Sequence, residues 1–325
     1  MQTFEYANPA TLKEALGLLG SHWGEADVLA GGTDLISLMK DYVQTPKRVV
    51  SIKGIKELGG IGRSAQGTRI GATVTFDELA SDKSLHTEYP SLYAAVMGVS
   101  SPQIRNMGTA GGDLCQRPRC WYFRQGYGVL AMKDRGTLVT NGDNRYHAIF
   151  PNGPAYFVSA SSLAPALVAL GAKVKLVSAG GSRVVPVEKF FVAPQTDAAR
   201  EIALLPNEIL TEIVIPPAHG VKNATYEVRH KEALDWPLVT ASVALTMQGS
   251  TVKSARIVLG HVAPTPYTAA QAEQALSGKA LSDANIQSAS DAAVAGAQPL
   301  SQNGYKVQLA RVAVRRALLA AAGRA

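Results

Sequence analysis

Apolar residues Leu12, Ala15, Leu16 and Leu19 recur at helical spacing, predicting a first helix over Pro9–Leu19 with Asn8 as its N-cap. A short apolar strand, Val28–Ala30, leads into a glycine pair, and an amphipathic helix resumes over Asp34–Lys40. The β-branched run Arg48–Ile52 reads as a buried strand. Next come a strand over Thr68–Ala72, a helix over Thr75–Ala80 opened by a Thr75/Glu78 capping box, and a helix over Ser91–Gly98 that stops at Ser100–Pro102. The pattern then predicts a strand over Pro154–Ser159, a helix over Ser162–Leu170 capped by Ser161 or Ser162, and a hairpin of Lys173–Ser178 with Arg183–Val187. A strand over Glu208–Ile215 ends at Pro216 and Pro217, the strongest boundary signal in the chain. Beyond it lie a strand over Ala224–Arg229, a helix or strand over Val239–Met247, a strand over Ser254–His261, and alanine-rich helices over Ala269–Leu276, Asp283–Ala297 and Lys306–Ala322.

Two stretches break this periodicity. Val28 to Leu35 reads VLAGGTDL, and Ile104 to Cys120 reads IRNMGTAGGDLCQRPRC. Both are built like loops in which glycine lets backbone N–H groups close on a phosphate. In the first, a strand feeds a helix N-terminus, an arrangement suited to an anion. Neither matches the dinucleotide G-x-G-x-x-G or the P-loop pattern. From Cys120 to Phe150 the chain reads as a long irregular loop with one hairpin, a length that in compact domains is usually functional.

Composition adds bounds. The 325 residues are 46% hydrophobic and 18% charged, enough for two or three domains with filled cores. No run reaches the roughly 18 uninterrupted apolar residues of a membrane span, so no membrane insertion is expected. The start of the chain has neither the basic nor the apolar region of a secretory signal, so a cytoplasmic location is expected, or a periplasmic one if a partner carries the export signal. The net charge of +7 comes from short clusters such as Arg117, Arg119 and Arg124, not from a long basic stripe, so nucleic-acid binding is not expected. An anionic cofactor or an acidic partner subunit accounts better for the charge. Cys115 and Cys120, both cysteines of the chain, are spaced C-x₄-C, unlike a zinc site.

With VLAGGTDL and IRNMGTAGGDLC in place, the chain resembles the FAD-binding medium subunit of the xanthine dehydrogenase and molybdenum hydroxylase family, whose loops read AGGT-[DN]-L and IRN-x-[GA]-T-x-GGN-L. SSLAPALVALGA (Ser161–Ala172), the FF-x₂-P segment at Phe190–Pro194, and NEILTEIVIP (Asn207–Pro216) resemble the same family in the same order. The resemblance implies an α+β fold: a vanillyl-alcohol-oxidase (PCMH)-type FAD-binding domain over residues 1–218, with subdomains of about 1–55 and 56–218, followed by a C-terminal CO-dehydrogenase-flavoprotein-like α+β domain over 222–325. It implies FAD held by Ala30, Gly31, Gly32, Thr33, Asp34 and Leu35 at the pyrophosphate, and by Gly108, Thr109, Gly111, Gly112 and Asp113 along the pyrophosphate and ribityl chain. Asp113 stands where the family usually has asparagine; it loses an amide donor but can still accept from hydroxyls. Trp121 is kept as a cofactor candidate near the isoalloxazine, a core or interface aromatic being the alternative. Lys231 and Asp235 fall where the family's C-terminal domain approaches the flavin, and Glu227 where relatives often have a lysine.

CQRPRCWYFR followed by GDNRYHAIF resembles the aldehyde-oxidase-like branch, whose medium subunits carry an extra 4Fe–4S cluster on four cysteines of this loop. Here Val129, Leu138 and Val139 occupy later positions, leaving Cys120 and Cys115 as a possible remnant and the cluster as not expected. The resemblance implies a large molybdenum-cofactor subunit and a small 2Fe–2S subunit as partners. It further implies electron transfer through their clusters to FAD and an external acceptor, with no catalytic acid or base in this chain. The alternatives are a self-contained FAD oxidase or reductase on the same scaffold, and a binding module without its cofactor.

Overall fold

A computed structural model describes residues 1–99, 101–134, 136–230 and 235–324. Lys231 falls outside these residues. Strands β1 (Glu5–Ala7), β2 (Ala26–Leu29) and β3 (Arg48–Ser51) form a parallel sheet in the order β1-β3-β2. Beneath it lies a small core of Ala15, Val50, Ile52, Ile55 and Leu58. The first helix is shorter than its apolar pattern, Leu12–Gly17, because Thr11 and not Asn8 caps it, in a reciprocal box with Glu14.

Strands β4 (Ile61–Ser64) and β5 (Gly67–Gly71) begin a second, antiparallel sheet. After the small hairpin of β6 (Met132–Lys133) and β7 (Gly136–Thr137), that sheet is completed by β8 (Lys173–Ser178), β9 (Gly181–Pro186) and β10 (Ile209–Ile215), in the order β4-β5-β10-β8-β9. The expected Thr75/Glu78 box opens the helix Phe76–Ser81. Two sequence expectations fail in this region. Pro154–Ser159 is not a strand; Ala155 and Phe157 are buried there in a small apolar cluster with Leu38, Phe123, Val129 and Leu130. The stretch from Ile104 to Cys120 is not an open loop; it contains the end of the helix Pro102–Met107 and the helix Ala110–Cys115.

The third sheet is a meander of β11 (Val221–Arg229), β12 (Pro237–Gln248), β13 (Thr251–Gly260) and β14 (Tyr267–Thr268). It settles the ambiguity at Val239–Met247, which is strand. Apolar Val239, Ala241, Val243, Leu245 and Met247 alternate with Thr240, Ser242 and Thr246, and both faces are covered over most of the strand. Val243, Leu245, Ile257 and Leu259 join Ala313, Val314, Ala317 and Leu318 of the long helix Tyr305–Ala321 in one core, whereas Ala244 and Val258 belong to the core of the preceding region. This sheet is therefore wedged between its own helices and the rest of the chain.

Candidate functional site

Ala30 to Thr33 connect β2 to the helix Leu35–Lys40, with Gly32 at φ +75°. Among the described residues, the N–H groups of Gly31, Gly32 and Thr33 meet no protein acceptor, so three successive donors remain for a ligand. The helix that follows has six residues, so bare amides contribute more here than a macrodipole.

The second glycine segment is used differently. Ala110 N–H donates to the Val74 carbonyl at 2.8 Å, Gly111 N–H to Ala72 at 2.9 Å, and Gly112 N–H to Thr109 Oγ1 at 3.1 Å. Its glycines permit close packing: a Cβ on Gly111 would come within 2.8 Å of the Ala72 side chain, and one on Gly108 within 2.9 Å of Phe76. The amides expected to face a phosphate thus brace the fold, and this segment serves as a floor.

The two segments touch and line one trough. Its first part, about 1000 Å³, is walled by Ala30 to Leu35, Thr109, Gly111, Gly112 and Cys115, and on the far side by Ile202, Leu204, Ile209 and Leu210. A second part of about 980 Å³ shares Thr33, Asp34, Thr109 and Gly112 with the first and adds Gly108, Asp113, Arg119, Asp235 and Trp236. A third cavity, of about 830 Å³, shares Arg119, Asp235 and Trp236 with the second. Trp121 and Cys120 line this third cavity, while Cys115 faces the first.

Charge is concentrated around Asp34. Its carboxylate accepts from Arg124 at 2.7 Å and from the Arg117 backbone N–H at 2.8 Å, and is ion-paired with Arg119 at 3.1 Å. It leaves its own helix without a side-chain cap and ties the first glycine loop to the arginine-rich segment. Arg117 is ion-paired with buried Glu201, and Arg200 lies 4.1 Å over the Trp23 ring in the first part of the trough. Desolvation holds the Arg200 pKa below its ordinary value, so a ligand anion there would relieve an unfavourably buried cation. Trp23, Arg200, Ile202 and Leu204 were not legible as site residues, since no local motif marks them; Ile209 and Leu210 fall within NEILTEIVIP but are not legible there as lining a site.

Asp113 lines the second part, yet its oxygens are occupied. They accept from the Ser161 hydroxyl, Ser162 N–H at 3.1 Å, Leu163 N–H at 3.0 Å and Gln116 Nε2 at 2.9 Å. The carboxylate therefore fixes the turn ahead of the helix Ala164–Ala169. Burial raises its pKa to about 6, against the lowering effect of these hydrogen bonds. Glu227, paired with Arg229, is likewise buried and its pKa raised by desolvation.

Burial pushes the Cys115 thiol up to about 12 and raises that of Cys120, whose Sγ lies 3.1 Å from His147 Nε2. Among the described residues no group of three or more His, Cys, Asp or Glu could hold a metal. Val129 and Leu130 pack around Cys120 as apolar filler, so the donor set of this loop does not fit an iron–sulfur cluster. His147 and His261 are kept neutral by burial, with pKa values lowered to about 4 and about 3.

Comparison with known proteins identifies the family. Residues 2–218 match the FAD binding domain in molybdopterin dehydrogenase, and residues 224–321 the CO dehydrogenase flavoprotein C-terminal domain. The chain is similar to the aldehyde oxidoreductase FAD-binding subunit PaoB of Escherichia coli K12, 30% identical over 96% of each chain. It is similar to the carbon monoxide dehydrogenase medium chain of Hydrogenophaga pseudoflava, 29% identical over 98% of this chain and 96% of that one. The solved carbon monoxide dehydrogenase from the same organism superposes with a TM-score of 0.78, at 30% identity, covering 99% of this chain and 98% of that one. Quinoline 2-oxidoreductase from Pseudomonas putida 86, at 24% identity and a TM-score of 0.77 over 99% of this chain and 98% of that one, shares the fold. The protein belongs to the FAD-binding medium-subunit family of the molybdenum hydroxylases, and is an oxidoreductase subunit whose cofactor is FAD.

Proposed function

We propose that this chain receives electrons from a large molybdenum-cofactor subunit through the 2Fe–2S clusters of a small subunit and delivers them to an external acceptor. The observation that carries the reading is the row of unclaimed amides at Gly31, Gly32 and Thr33, opening onto a trough lined by both glycine segments. Those amides would hold the FAD pyrophosphate, with Asp34 fixing their loop against Arg119 and Arg124. Thr109 and Gly112 form the floor, and Ile202, Leu204 and Ile209 exclude water from one wall. The bound flavin supplies the conversion between two-electron and one-electron chemistry; the chain orients it and screens it from solvent. The substrate is oxidised elsewhere in the assembly.

The test is to purify the full chain alone and with co-expressed partner subunits, recording visible spectra with molybdenum and iron analysis. Flavin absorbance in the chain alone, bleached by substrate only within the larger complex, is expected. A chain that retains no flavin after gentle purification, or that bleaches with substrate unaided, would overturn the reading.

A further inference from the structure

The third cavity is not required to seat the glycine-loop ligand, and its lining has a chemistry of its own. Trp121, Tyr146, Phe157 and Trp236 give it aromatic walls, with Trp121 and Tyr146 edge to face at 5.7 Å. Its cations are already engaged. The Lys306 ammonium, 1% exposed, donates to the carbonyls of Tyr146, His147 and His261, and Arg119 is committed to Asp34 and Gln116. A phosphate-bearing ligand such as a nicotinamide dinucleotide therefore finds no cradle, whereas a planar neutral ring finds a slot. His261, 3% exposed, lines the same cavity. Its Nδ1 lies 3.1 Å from Thr240 Oγ1, while its Nε2 completes no hydrogen bond with a described residue, although the Ala160 carbonyl favours a ring N–H. With Thr240 donating to Nδ1, the ring proton sits on Nε2, favoured by the Ala160 carbonyl, so the imidazole is neutral and adds no charge to the cavity wall.

We propose that this cavity binds an uncharged aromatic dione of the quinone class, placed beside the trough through the shared Arg119–Trp236 stack, 4.6 Å from guanidinium to ring. This rests on the functional reading above and names the acceptor class. The exchange balances as reduced flavin (FADH₂) plus quinone giving FAD plus quinol, two electrons and two protons passing to the dione oxygens.

The probe is duroquinone, whose fully substituted ring resists addition of the Cys120 thiol. It is titrated calorimetrically into the full chain, and separately mixed with chemically reduced, FAD-loaded chain. Saturable binding is expected, together with saturable reoxidation. Val158→Trp, which fills the cavity, should weaken binding and slow reoxidation by about tenfold or more, on the order of 1.4 kcal/mol. Its flavin content and its rate with ferricyanide should be unchanged. Tyr146→Ala, at a half-exposed wall position that tolerates truncation, should weaken binding severalfold and serves if the first variant fails to fold. Equal duroquinone affinity in all three proteins would overturn the proposal, as would loss of flavin in Val158→Trp, which would show that the cavity holds the flavin itself. Duroquinone binding by a chain that carries no FAD would support the cavity and contradict the flavin assignment.

Discussion

A Cβ placed on Gly31 would lie 1.7 Å from the carbonyl oxygen of Met107. This contact joins two segments far apart in sequence into one structure, because the first glycine loop can rest on the second only if that position carries no side chain. The amides of Gly31 to Thr33 then face the trough, and those of Ala110 to Gly112 are spent on the floor beneath it.

Asp113→Asn is not a neutral return to the family's usual residue. The amide NH₂ would confront one of the two backbone donors at Ser162 and Leu163, a cost of about 1–3 kcal/mol. The pH dependence has a definite sign. A carboxyl whose pKa rises from 3.8 to about 6 on folding holds its proton more tightly in the native state, so stability falls as pH climbs through that window. The shift corresponds to on the order of 3 kcal/mol. Urea unfolding of both proteins should show the wild-type advantage larger at pH 4 than at pH 7; a difference independent of pH would refute the assignment.

Lys306 anchors the last helix to three backbone carbonyls, and Lys306→Met should strip those of Tyr146 and His261 of this donor, while His147 keeps Asn303, at a cost of about 1–3 kcal/mol. Burial lowers its pKa from 10.5 to about 7, so the unfolded chain binds the extra proton between those values and wild-type stability rises across them. That rise should be missing from the variant in thermal unfolding at pH 7 and pH 10.

Neither thiol should react readily in the native chain. Burial holds both Cys115 and Cys120 above their ordinary pKa, so little thiolate exists at pH 8. Mass spectrometry after iodoacetamide treatment should find the folded protein unmodified and the urea-unfolded protein carrying an adduct on each cysteine. Rapid modification of folded Cys120 would contradict its packing against Val129 and Leu130.

Features set by neighbouring residues were readable in the sequence. The Thr75/Glu78 box and the strand-glycine-helix run at VLAGGTDL depend on local geometry, and both form as expected. Features set by tertiary partners were not. The segment Pro154–Ser159 has strand-like residues, but Ala155 and Phe157 pack into a satellite cluster, and Ala155 bridges back to Asn152 instead of joining a sheet. Val239–Met247 could be read as helix or strand, and pairing with β11 and β13 decides it. The role of Asp113 as the clasp of the Ser161–Leu163 turn could not be read from its place in a glycine motif, and Arg200 reaches the trough from a stretch with no signal of its own.

An FAD cradle made where the two glycine segments meet should not tolerate a side chain at Gly31, and Gly31→Ala supplies the smallest one. The added methyl must push the first loop off Met107, a strain of about 1–3 kcal/mol that falls on the loop presenting the free amides. Flavin content of the purified full chain, measured beside circular dichroism to confirm folding, is the readout. The wild type should carry FAD in equimolar amount, and the folded variant should have lost most of it. A folded Gly31→Ala chain with undiminished flavin would contradict the cradle.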